Sequence, residues 1–242
     1  MDISHIDLTD QFTGILKRTI SHNAIFYLLA DHLKKKIPAS LVRMGDGEQI
    51  ILYRYFNGDG DKLIRNVFDK EWEVRMGYVD ATIADAAGYI LDAERNCTYF
   101  SPNLAGTVYG SFNLYQYFSE RDFYVDNFFV NTLRHEQIEE LYKLAKKILI
   151  LHHNQELGQY VIDHYNRVSG SAKNIDNTDH YRFEYMQLKN WDQINEIVER
   201  AGLSDNTLIL ISGSKIIGPR LTNKYNKICI DIGNTMDHWL FC

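Results

Sequence analysis

Apolar residues recur along this chain at two different periods. Between Ser21 and Lys36 they fall at Ile25, Leu28, Leu29 and Leu33, the three-to-four-residue spacing that gathers one face of a helix. Lys34, Lys35 and Lys36 crowd the end of that stretch, where positive charge suits the C-terminal end of the helix dipole, and Pro38 stops it. The same period predicts helices over Asp80–Glu94, His135–Lys146, Asn190–Ala201 and Ser214–Asn223, with Gly202 closing the third of these. A further helix is expected to open at Glu48. Short runs with strand character lie between: Ser40–Met44, Cys97–Phe100, Tyr124–Val130, Lys147–His152, Thr207–Ser212 and Lys227–Ile232. Several are almost purely aliphatic, as strands covered on both faces are. Strands alternating with helices in this way predict an α/β fold, a single Rossmann-like domain with a mostly parallel sheet flanked by helices. No repeat, low-complexity tract or Pro/Gly/Ser-rich linker divides the chain, so residues 1–242 read as one domain.

Bulk composition narrows the function classes. A length of 242 residues suits one α/β domain, and 45% hydrophobic with 24% charged residues is enough for a packed core. The formal charge of −6 argues against a protein that grips nucleic-acid backbone broadly, which needs a basic face. Cys97, Cys229 and Cys242 are odd in number and far apart, which argues against a disulfide framework or a Cys-rich zinc site. The N-terminal residues lack a basic stretch followed by an apolar one, and no run of about 18 apolar residues occurs. No membrane span is expected, and a cytoplasmic location is.

Three segments concentrate the chemistry. Arg43-Met44-Gly45-Asp46-Gly47-Glu48 falls where a strand ends and a helix begins, the edge at which open α/β sheets bind ligands. Gly45 and Gly47 permit close backbone approach to a ligand. Asp46 and Glu48, on an extended or turn backbone, would aim two carboxylates at one point, as a hard cation such as Mg²⁺ or Mn²⁺ prefers. Arg43 offers a forked donor for phosphate oxygens. The plainer reading of the same residues is a glycine turn with Asp46 capping the next helix. Ser212-Gly213-Ser214-Lys215 follows a second aliphatic run and opens a second helix, whose free N–H groups and Lys215 would suit an anion. It is neither a Walker A loop nor a dinucleotide fingerprint. Finally, Asp231 interrupts a buried strand and Asp237 follows it closely, so both are candidate functional acids.

Together, LVRMGDGE (Leu41–Glu48), LILISGSKIIGPRL (Leu208–Leu221) and ICIDIGNTMD (Ile228–Asp237) resemble a bacterial family, first defined as a domain of unknown function, of glycosyltransferases with the GT-D fold. That family carries an Arg-x-Gly-Asp-Gly-Glu segment with a D-x-E metal motif and a late Asp-Ile-Gly-His-x-Asp segment. Asn234 stands here in place of the His. The resemblance implies a nucleotide-sugar donor, with a UDP-sugar favoured, and a glycan or other hydroxyl acceptor in glycan or polysaccharide biosynthesis. It also implies a divalent metal, Mn²⁺ or Mg²⁺, held by Asp46 and Glu48. Donor contacts would come from Arg43, Gly45, Gly47, Ser212, Gly213, Ser214 and Lys215, and catalytic acids from Asp231 and Asp237.

Other residues share the expected sheet edge. His152-His153, with Asn154 and Glu156, ends one strand, and Ser101-Pro102-Asn103 ends another. The run Phe112–Phe118 offers either a sugar-stacking wall or core packing. The residues also fit two other classes: a metal-dependent phosphohydrolase or nucleotidyltransferase on the same carboxylate pair, and a non-catalytic nucleotide or sugar-phosphate-binding module.

Overall fold

A computed structural model of the chain describes residues 10–57, 83–103, 114, 117–127, 135–151, 159–160, 163–167, 179–181, 191–211 and 217–232. Helix α1 (Asp10–Lys17) leads into β1 (Thr19–Ile20) and α2 (His22–Lys35). Ser21 caps α2 by accepting the Ala24 N–H, and Lys36 closes it in the left-handed region at φ 58°. That ending puts Pro38 just beyond the helix, as the sequence predicts. Next come β2 (Ala39–Arg43), α3 (Asp46–Asn57), α4 (Ile83–Asn96), β3 (Tyr99–Ser101) and β4 (Tyr124–Val125). The chain continues with α5 (His135–Leu144), β5 (Lys147–Leu151), β6 (Asp179–Tyr181), α6 (Trp191–Ala201), β7 (Thr207–Ile211), α7 (Ile217–Tyr225) and β8 (Ile228–Asp231).

Six of the strands form one sheet in the order β3-β2-β8-β7-β5-β6, and every pairing in it is parallel. The fold class read from the sequence is therefore the observed one. Side chains alternate between the faces of each strand. Val42, Leu149, Leu151, Ile209, Ile211 and Cys229 pack on one side with α3, α4, α6 and α7. Leu41, Ile148, Ile150, Leu208, Leu210 and Ile230 pack on the other with α2 and α5. Burial on both faces is why these strands lack polar alternation. No helix among the described residues is long and apolar enough to cross a membrane.

Four details differ from the sequence expectation. Helix α3 opens at Asp46 rather than Glu48, because Gly45 takes the cap position and the first turn absorbs Asp46 and Gly47. Of the strand expected over Tyr124–Val130, Tyr124–Val125 form a strand that pairs with β1 in a two-stranded sheet, Asp126 and Asn127 do not continue it, and 128–130 lie outside the described residues. Its neighbours Tyr124 N–H and Asp126 N–H donate to Arg18 O and Ile20 O, which ties it to β1. Helix α7 runs on to Tyr225, two residues past the expected Asn223, while its expected start at Ser214 lies outside the described residues. Strand β6 has no counterpart among the strands that the sequence predicts.

Candidate functional site

Parallel pairing brings the carboxyl ends of β3, β2 and β8 side by side, with Arg43 in register with Ser101 and Leu41 with Ile230. Arg43 ends β2, and its backbone N–H donates to Asp231 Oδ2 at 3.3 Å. Asp231 ends β8 and is only 3% exposed. A carboxylate buried that deeply must be compensated by hydrogen bonds or charge, and the Arg43 N–H is one such partner.

The turn from β2 into α3 is held from several sides. Met44 N–H donates to Ser101 O at 2.9 Å, and Asn127 Nδ2 donates to Met44 O at 2.9 Å. Ser101 Oγ reaches Asn127 Oδ1 at 3.4 Å. Glu48, 2% exposed, accepts the Gly45 N–H on Oε2 at 2.8 Å. One residue on, Gln49 Nε2 donates to Asn103 O at 2.9 Å and Asn103 Nδ2 to Gln49 Oε1 at 3.4 Å. A Cβ placed on Gly45 would lie 2.8 Å from Glu48 Oε2 and 3.5 and 3.6 Å from the two Nη atoms of Arg43. The carboxylate and the guanidinium thus gather around the bare Cα of Gly45. Arg43 Nε is buried and has no hydrogen-bond partner.

Arg43, Gly45, Glu48 and Asp231 thereby meet at one edge of the sheet, with Gly47 in the first turn of α3. Asp46 and Glu48, the pair predicted to share a metal, lie on helix rather than on the extended or turn backbone expected. The two occupy the first and third positions of α3. Glu48 is moreover turned back onto its own cap. Among the described residues no group of three His, Cys, Asp or Glu is placed to hold a metal ion. The Asp46 side chain lies outside the described residues, as do Ser212, Gly213, Ser214, Lys215, Asn234, Asp237, His152, His153, Asn154 and Glu156.

Of the aromatic run, Leu114 and Phe118 are core, and Phe118 packs edge-on against Phe100. Tyr117 stacks on Phe56 with ring centroids 3.5 Å apart. Phe56 lies eight residues beyond Glu48, about 12 Å along α3, so these described positions pack away from the site. Gln49 and Asn127, by contrast, escaped the sequence reading. Neither carries a local signal, since each becomes a partner of the turn only through the tertiary fold.

The sheet order adds a second landmark. From β7 the chain crosses through α7 on one face to β8, while from β5 it passes through helical residues 163–167, whose Tyr165 packs on the opposite face, to β6. Such a divergence marks the crevice in open α/β sheets. The segments that leave it, 152–158 and 212–216, contain two of the motifs read from the sequence. β8 separates β7 from β2, so the crevice edge and Arg43 are two strand spacings apart, roughly 10 Å.

Comparison of the chain with protein-family models, with curated proteins and with solved structures finds no match.

Proposed function

We propose that the chain is a glycosyltransferase that moves a sugar from a nucleoside-diphosphate sugar to an acceptor hydroxyl. Arg43 carries this reading. Its Nε is a buried donor without a partner, at the carboxyl edge of a parallel sheet, beside a turn that several elements combine to fix. A buried unmet N–H calls for an acceptor, and a guanidinium matches phosphate oxygens in shape and charge. In the transfer, the bond from the anomeric carbon to the diphosphate oxygen breaks and a bond to the acceptor oxygen forms. Arg43 would meet the charge that grows on the leaving diphosphate. The acceptor proton needs a base in an inverting reaction, and Asp231, held by the Arg43 N–H, is the candidate among the described residues, with Asp237 the second acid. When bound, a divalent metal would add charge neutralisation at the diphosphate, and it enters below as one arm of the test.

A second reading has an observation of its own. Glu48 and Asp231 both bond backbone N–H groups, which suits a module that binds a nucleotide or sugar phosphate without transforming it. Thermal unfolding with a panel of nucleoside diphosphates and nucleotide sugars, with and without Mn²⁺, separates the two when combined with an assay for released nucleoside diphosphate. The transferase predicts stabilisation that Arg43→Ala removes and release that Asp231→Asn abolishes. Stabilisation without release favours the module. No stabilisation by any nucleotide sinks both.

A further inference from the structure

We infer that Glu48 is a positioning residue that locks the Gly45 turn beneath Arg43, and that it is not a metal ligand. Helix α3 starts with N–H groups that have no partner within the helix. Gly45 holds the cap position, Glu48 is the third helical residue, and its carboxylate reaches back to the Gly45 N–H at 2.8 Å. That is the glutamate half of a capping box, placed where a negative charge also suits the helix dipole. Gly45 is itself buried, so its N–H has no water to fall back on if Glu48 swings out toward a cation.

The glycine follows from the glutamate. The space a Cβ would take at residue 45 is filled by Glu48 Oε2 and flanked by both Arg43 Nη atoms. Gly45 and Glu48 together are then a device for packing a carboxylate and a guanidinium against one backbone turn. Met44 is clamped at both its N–H and its carbonyl, and Gln49 and Asn103 hold the far side. With the turn pinned above and below, Glu48 holds the Gly45 N–H, and Arg43 inherits a fixed base. What the fixed arginine serves rests on the nucleotide-binding reading above, whereas the cap does not.

Glutamine distinguishes cap from ligand, because its Oε1 still accepts the Gly45 N–H while its uncharged amide is a poor partner for a hard cation. Full-length parent, Glu48→Gln and Glu48→Ala are compared by amide hydrogen exchange at Gly45 and by affinity for nucleoside diphosphates with and without Mn²⁺. The inference predicts parental exchange and affinity for Glu48→Gln. For Glu48→Ala it predicts exchange at Gly45 faster by on the order of tenfold, with affinity falling alongside. It is overturned if Glu48→Gln keeps parental exchange yet loses Mn²⁺-dependent affinity, or if Glu48→Ala leaves Gly45 exchange unchanged. Should the parent bind no nucleotide, the proposed function fails, and the exchange measurement alone decides the cap.

Discussion

A missing methyl group organises the best-defined corner of this molecule. Replacing Gly45 with alanine puts a Cβ 2.8 Å from Glu48 Oε2, closer than any ordinary contact. The atom it meets ends a side chain that is itself pinned, so relief means breaking the cap. Gly45→Ala is expected to cost about 1–3 kcal/mol in urea denaturation. Gly88 supplies the control: it is exposed in the middle of α4, and a Cβ there meets nothing within 4 Å. Gly88→Ala is expected to stabilise by about 0.5–1 kcal/mol, because alanine is the better helix former and narrows the unfolded ensemble. Equal effects at the two glycines would contradict the packing argument. At this scale the sequence disclosed that Arg43, Gly45 and Glu48 belong together. It did not disclose that the glutamate faces inward, since a D-x-E triplet reads alike on a turn and on a helix, and only the cap at Gly45 decides between them.

Among elements, legibility followed burial. β5, β7 and β8 were visible as aliphatic runs because both their faces are covered. β6, Asp179-His180-Tyr181, carries no such run, and among the described strands it pairs with β5 alone, at the sheet's edge. The attachment of α4 to the segment before β4 was equally silent in sequence. It depends on Glu94, fully buried, whose Oε1 accepts from Arg121 Nε and from Ser119 N–H, both at 3.2 Å, and whose Oε2 accepts from Ser119 Oγ. Arg121 also donates to the carbonyls of Glu94 and Cys97, and its guanidinium lies over the Phe100 ring. Residues 25 and 27 positions apart thus form one buried polar knot, which no periodicity can announce. Glu94→Ala strands the Arg121 charge and is expected to cost about 3–5 kcal/mol. The Glu94→Ala/Arg121→Ala double variant is expected to lose clearly less than the sum of the two singles, as a double-mutant cycle in urea would measure. Additive losses would mean that the pair is not coupled.

For the whole molecule, the same two-faced core that made the strands legible also fixes how the chain responds to pH. Cys97, packed with the α4 and β3 face, and Cys229, on β8 beneath α7, are both buried. Burial pushes each thiol up from its ordinary 9.0 to about 12. The Tyr165 phenol is pushed up to about 12 for the same reason, and that of Tyr142 is raised as well. The folded chain therefore keeps protons that the unfolded chain releases between about pH 9 and 12. Stability contributed by these groups is fully present below pH 9 and is lost as pH rises through that window. At pH 10.5 each buried thiol accounts for a loss of about 2 kcal/mol relative to pH 8. The urea midpoint is thus expected to fall between pH 8.5 and 10.5. Cys229→Ala should flatten that fall whatever offset its small cavity adds, because the offset is the same at every pH while the proton linkage is gone. An unchanged slope in Cys229→Ala would show that the thiol ionises equally in both states, and that the face between β8 and α7 admits water.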